Sequence, residues 1–181
     1  CEAILGNGAQ YVDKDGNILM SAYMNKTVIK DILKILEDRN IPYMIFTTNG
    51  FYTRYEPEFV RNAFIERGMH RFGGDGREYR KGGRNEKAPC NQLVKINNLD
   101  EFLNQDLQII KIEAFAKDET RIPPVKELLK DIPTISFLSS FIDNVEVTDQ
   151  RAQKGYILEE VIKIKGIKHD EVAVLGDGMN D

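Results

Sequence analysis

The residues best suited to chemistry close the chain, where Val172-Ala173-Val174-Leu175 runs into Gly176-Asp177-Gly178-Met179-Asn180-Asp181. An apolar stretch ending in a glycine-bounded turn with two carboxylates and an amide suits the carboxyl end of a parallel strand. In an open α/β sheet that is where ligands bind. Asp177 and Asp181 crowded into one turn repel each other unless a cation or a donor sits nearby, and carboxylate oxygens are the hard ligands that Mg2+ takes alongside water and phosphate. Twenty-three residues before Asp177, Lys154 stands ahead of Gly155 and an apolar helical pattern. A lysine at a helix N-terminus adds its charge to the positive end of the dipole, which is unfavourable. It becomes favourable when an anion such as phosphate binds there. Taken singly, such a lysine is most often a solvated side chain and Gly-Asp-Gly an ordinary turn. Their combination, in this order, points to an anion held beside a divalent cation.

The elements that must position these residues are legible from periodicity and turn chemistry. Residues 9–20 alternate about Asp15-Gly16, a strong hairpin signal. Asn25 is a helix cap, followed by Val28, Ile29, Ile32, Leu33, Ile35 and Leu36 at helical spacing to about Arg39. Strands are predicted at 43–47 and 51–55 around Asn49-Gly50, then a helix over 58–67 stopped by Gly68. Residues 68–91 are rich in Gly, Arg and Lys without periodicity and predict a loop. Beyond it come a strand (92–96), a short helix (99–103), a strand (109–116), a helix opened by Pro124, and strands at 134–139 and 144–148. The last unit is a helix over 155–165 ended by Gly166, then a strand over 171–175. Residues up to about 148 thus predict an α+β domain with an antiparallel sheet, and the final helix and strand a piece of a parallel α/β sheet. Two architectures in one chain predict an inserted domain that returns to its host near Asp149.

Composition narrows the function classes. Of 181 residues, 41% are hydrophobic and 30% charged, a balance that suits a buried core with a wet surface. No apolar run approaches the ~20 residues of a membrane span, and no basic-then-apolar signal segment opens the chain, so the cytoplasm is the expected compartment. Cys1 and Cys90 are too few for a disulfide framework or a zinc site. His70 and His169 have no ligand neighbours at metal spacing and are expected on the surface. A net charge of −4 argues against general nucleic-acid binding, although residues 67–95 hold eight Lys/Arg against three acids. The start on Cys1 and the end on Asp181 are those expected of an internal piece of a longer protein.

The final hexapeptide, Gly176 to Asp181, resembles the fourth motif of haloacid-dehalogenase-type phosphatases, and Lys154-Gly155 resembles their third. Asn7-Gly8-Ala9 with its hairpin, and Asp143-Asn144-Val145-Glu146-Val147, are similar to the Cof-like subgroup with a large inserted cap, subclass IIB. The resemblance implies an α/β fold: part of a Rossmann-like core carrying an α+β cap. Residues 1–8 would be the entry from the core, 9–148 the cap, and 149–181 the core segment with the third and fourth motifs. It further implies that Asp177 coordinates Mg2+, Asn180 hydrogen-bonds the phosphoryl group, Lys154 neutralises its charge, and Asp181 orients metal-bound water. Family members attack phosphorus with an aspartate and hydrolyse the aspartyl-phosphate. That aspartate is expected upstream of Cys1, so the chain by itself is expected to be inactive.

Asp13-Lys14-Asp15-Gly16-Asn17 mimics the family's first motif, Asp-x-Asp-Gly-Thr, and Thr47 mimics the second. The mimicry fails at Asn17, where the hydroxyl is missing, and both segments sit at hairpin turns. The expected activity is Mg2+-dependent hydrolysis of small phosphorylated metabolites, sugar phosphates foremost, with no nucleic-acid or membrane partner. A phosphotransferase or mutase on the same scaffold, and a non-catalytic module that uses residues 68–91 to hold an anion, are the alternatives.

Overall fold

The computed structural model describes residues 1–174. Strands β1 (Ala3–Leu5), β2 (Gln10–Val12) and β3 (Ile18–Ser21) form a three-stranded antiparallel sheet in that order. The turn between β2 and β3 is organised by Asp13, whose carboxylate accepts from the backbone N–H groups of Asp15 and Asn17 and from the Asn17 amide, each at 2.8 Å. Asp13 is therefore a turn-holding residue, as its place in the hairpin predicts.

A second sheet has six strands in the order β6-β5-β4-β7-β9-β8. They are β4 (Tyr43–Thr47), β5 (Gly50–Thr53), β6 (Leu93–Lys95), β7 (Ile109–Phe115), β8 (Ile135–Leu138) and β9 (Asn144–Asp149). All neighbours run antiparallel except β5 and β6, which are parallel. Helices α1 (Ile29–Glu37), α2 (Pro57–Phe72), α3 (Leu99–Leu103), α4 (Ile122–Leu129) and α5 (Lys154–Lys165) complete the described fold. Asn25 accepts from the Thr27 N–H ahead of α1, and Asn98 accepts from the N–H groups of Asp100 and Glu101 to cap α3.

Strand alternation divides the six-stranded sheet into two unlike faces. Tyr43 and Ile45, Ile112 and Ala114, Val145 and Val147 pack against Ile29, Ile32, Leu33 and Leu36 of α1 and Ile122, Val125 and Leu129 of α4. The intervening residues face the other way. There Met44 and Phe115 meet Val60 of α2 and the buried Cys90, with Phe64 alongside. Next to this apolar cluster the same face carries Lys111, Glu113, Asn144 and Glu146, polar groups that need partners to be buried.

The small sheet belongs spatially with α5. Tyr11, Ile157 and Val161 form one cluster with Ile4 and Met20, and Ala9, Ala22 and Ala152 form another. Lys165 Nζ donates to Glu2 at 2.8 Å, and the Tyr11 hydroxyl donates to Glu2 at 2.7 Å.

Three sequence expectations need correction. Helix α2 does not stop at Gly68 but continues to Phe72, where Gly73 ends it at φ +73. A mid-helix glycine costs about 1 kcal/mol, and the contacts of Arg67 and Arg71 beyond and beside it outweigh that. The predicted loop is shorter by the end of α2, and residues 73–91 are irregular as predicted but held in place. They contain short 3-10 turns at Arg77–Tyr79 and Pro89–Asn91, and the Asn91 amide donates to the carbonyls of Tyr79, Asn85 and Glu86. Finally, Glu171 ends a 3-10 turn (His169–Glu171), and residues 172–174 pair with no strand among the described residues. Strand β1 has no counterpart in the sequence reading; three residues carry too little periodicity to announce it.

Gly8 has φ +98, and a Cβ there would lie 2.5 Å from the Gln153 carbonyl carbon. Gly16, at φ +87, has open space around it. Gly16→Ala should therefore cost only the backbone strain, about 1 kcal/mol. Gly8→Ala should cost more than ~2 kcal/mol, since strain and a backbone clash add. Chemical denaturation of both variants checks the difference.

Candidate functional site

Lys154 is the first residue of α5, half-buried, after Gln153 in extended conformation at the cap position. The turn formed by Gly6, Asn7 and Gly8 lies against this point. Gly8 supplies the close approach to the Gln153 backbone, and Asn7 takes a left-handed conformation (φ +60, ψ +25) that asparagine tolerates well. From that position the Asn7 amide donates to Glu146 Oε2 at 2.8 Å. One short turn thus links the start of α5 to β9, next to the edge strand β8 of the large sheet.

Glu146 is a buried carboxylate with donors from three separate elements. Besides Asn7, it accepts from Lys111 Nζ of β7 at 2.6 Å and from the Ser140 hydroxyl at 2.7 Å. Burial alone pushes its carboxyl up, but the charge and hydrogen bond of Lys111, with the bonds of Ser140 and Asn7, hold it below the ordinary range. Lys111 Nζ also stands 3.8 Å from Glu113 and 4.7 Å from the centre of the Phe46 ring. Burial raises the Glu113 carboxyl; Lys111 opposes the rise, and the neighbouring Glu146 charge adds to it. Of the two carboxylates, Glu146 keeps the ion pair and Glu113 is the readier to take a proton.

The third charged group is an Asp143 fork. Arg67 and Arg71, one turn apart on α2, place guanidinium nitrogens 2.7 and 3.1 Å from the same oxygen, Asp143 Oδ1. Arg67 and Asp143 are both buried, and the Arg71 guanidinium lies 3.6 Å from the centre of the Phe141 ring. Burial raises the Asp143 carboxyl, while the two arginines outweigh it and hold it low. Between α2 and the sheet lies a cavity of about 190 Å3, walled by Phe64, Arg67, Gly68 and Arg71 of α2, Glu113 of β7, Asn144 and Glu146 of β9, and Phe141. Gly68, which suggested a helix end from sequence, is part of its wall.

Of the residues singled out from sequence, Lys154 is described, and Asp177, Asn180 and Asp181 lie outside the described residues. The Mg2+ donor set named from sequence lies there too, and among the described residues no cluster of three or more His, Cys, Asp or Glu side chains gathers to hold a metal. His169 sits on the surface within 2.8 Å of Glu159, and His70 borders an open cleft with Arg71 and Lys117. The sequence reading missed the Arg67–Asp143–Arg71 fork and the Lys111–Glu146 pair. A signal existed for the second: Lys111 and Glu113 alternate with apolar residues in 109–116, as the polar Asn144, Glu146 and Thr148 do in 144–148.

The described residues thus bring together a Lys at the head of α5, a glycine turn seated against it, and a carboxylate that joins that turn to the large sheet. The chain belongs to the haloacid dehalogenase-like hydrolase family, whose model matches residues 1–181. It is 23% identical over 180 residues to Phosphatase YwpJ of Bacillus subtilis (strain 168), covering 98% of this chain and 63% of that protein. A haloacid dehalogenase-like hydrolase from B. subtilis superposes with a TM-score of 0.79 at 23% identity, over 99% of this chain and 64% of that one. The subclass IIB sugar phosphatase of the same superfamily gives a TM-score of 0.62 at 18% identity, over 94% and 55%. The chain therefore spans less than two thirds of the length of these relatives.

Removing one partner of a buried ion pair leaves the other uncompensated. Asp143→Asn should therefore lower the unfolding free energy by about 3 kcal/mol in denaturant titrations. Glu113 makes the opposite prediction. Its raised carboxyl means that the folded state is favoured by protonation at low pH, an advantage lost as pH rises through its titration. Glu113→Gln should melt above the wild type at pH 7.5, with the gap shrinking on acidification. Calorimetric scans across pH test this.

Proposed function

We propose that the complete protein is a Mg2+-dependent phosphatase of small phosphorylated metabolites, with the six-stranded sheet and its helices forming the cover that selects the substrate. The observation that carries the reading is the turn at residues 6–8, which touches Gln153 beside Lys154 on one side and Glu146 of the large sheet on the other. The cover is thereby registered against the head of α5, where the family resemblance puts the phosphoryl group. Because β1, β2 and β3 pack on α5, we assign them to the host domain with it, and the cover runs from about Ala22 to Asp149.

The chemistry expected of this chain's residues is electrostatic. The first N–H groups of α5 and the Lys154 ammonium offer positive charge to phosphoryl oxygens, which is the kind of help phosphoryl transfer needs most. By the resemblance, Asp177 would hold the metal, Asn180 would orient the phosphoryl group, and Asp181 would sit behind the metal's water. When bound, Mg2+ would supply further charge neutralisation at the same oxygens. The cover would close over the substrate and keep bulk water from the reacting group.

Release of phosphate from p-nitrophenyl phosphate by the complete protein should require Mg2+ and stop with EDTA. Lys154→Ala should lower kcat by roughly 100-fold or more, the scale of losing one preorganised charge-stabilising donor. Asp13→Asn should retain activity within a few-fold. Full activity in the Lys154 variant, or metal-independent turnover, would remove the basis for this reading.

A further inference from the structure

Two guanidiniums beside a cavity ordinarily make a receptor for a carboxylate or a phosphate, since the planar fork matches both anions. Here the receptor already holds its anion. Asp143 Oδ1 lies 2.7 Å from Arg67 and 3.1 Å from Arg71, and Arg71 is further fixed against the Phe141 ring at 3.6 Å. The opposite wall of the cavity presents Glu113 and Glu146. At about 190 Å3 the space exceeds the ~150 Å3 that suffices for a benzene-sized guest, so it admits the body of a small metabolite.

We propose that Asp143 is an internal counter-anion that occupies the Arg67–Arg71 pair, so that the cavity accepts the neutral, hydroxyl-bearing end of a substrate and rejects an end carrying a second negative charge. This rests on the phosphatase reading above and adds to it a specificity-determining residue. A second anion entering here would meet the Glu113 and Glu146 carboxylates of the wall, while the positive charge of Arg67 and Arg71 is already offset by Asp143 Oδ1 at 2.7 and 3.1 Å. A hydroxyl-bearing chain meets the opposite situation. The carboxylates and the Asn144 side chain offer it acceptors, and the aromatic walls of Phe64 and Phe141 cover its carbon skeleton.

The test compares two six-carbon esters that differ only at the end distal to phosphate: sorbitol 6-phosphate, ending in a hydroxymethyl group, and 6-phosphogluconate, ending in a carboxylate. The wild-type complete protein should favour the sorbitol ester at least tenfold in kcat/KM. Asp143→Asn frees the arginines and should shift that ratio at least tenfold toward the gluconate ester, mainly through KM. Arg71→Met removes one positive charge while leaving the Arg67–Asp143 pair, and should shift the ratio the other way. A fork that only ties α2 to the segment before β9 would lower the melting temperature and leave the ratio unmoved in folded variants, and that result overturns the proposal. So does a wild-type preference for the gluconate ester. If Asp143→Asn does not fold, an unmoved ratio in Arg71→Met is sufficient to reject it. If the protein hydrolyses none of these esters nor p-nitrophenyl phosphate, the phosphatase reading fails by itself. Calorimetric titration of the same two esters into wild type and variants then decides the cavity separately, by the same direction of shift in Kd.

Discussion

The structure depends on satisfying one buried carboxylate. Glu146 lies buried on β9 of the large sheet, where an ionised side chain is costly unless it is hydrogen-bonded. Its donors come from positions 7, 111 and 140: the turn after β1, the adjacent strand β7, and the segment leading into β9. Asn7 and Lys111 are 139 and 35 residues away in sequence. Meeting the charge therefore requires the first residues of the chain, the middle strand and the last strand to arrive at one point. Apolar packing against α1 and α4 supplies most of the driving force for the sheet, but it is non-directional. The carboxylate adds direction, and with it the register between the large sheet and the head of α5.

The two faces of that sheet have correspondingly different characters. The face toward α1 and α4 is filled with Ile, Leu and Val, and tolerates exchange of one aliphatic side chain for another at moderate cost. The face toward α2 mixes Phe rings with Lys111, Glu113, Arg67 and Asp143, whose charges must be matched one against another. Its energetics are coupled, so that altering one member changes the protonation and orientation of the next. Selectivity toward a ligand is more readily encoded there than in the aliphatic face.

Much of this was legible in the sequence, and the rest failed for identifiable reasons. Alternation and the Asp-Gly turn gave the hairpin of β2 and β3, and Asn25 marks a helix start by ordinary capping chemistry. The incomplete match at Asn17 and the alternation around it marked Asp13 as a turn residue, and Asp13 spends its oxygens on the turn. Helix α2 was cut short because Gly68 is a poor helix residue, while the contacts that carry the helix past it come from Asp143, more than seventy residues away. The same separation hid the arginine fork, since no local spacing relates positions 67, 71 and 143. The three-residue β1 was too short to show a period, and the pairing of Asn7 with Glu146 spans 139 residues.

The alanines at 9, 22 and 152 are almost wholly buried and touch one another. Ala22 sits where the chain leaves the small sheet, Ala152 where it comes back to α5, and Ala9 just before β2, so the exit and the return are side by side. Small side chains allow the two crossings to approach closely. A segment grafted between such adjacent ends imposes little loop-closure entropy on its host, and the penalty grows only with the logarithm of its length. In the division proposed above, the segment between these crossings can be lengthened, shortened or exchanged as a cassette, while the framework that receives it senses only a pair of neighbouring attachment points.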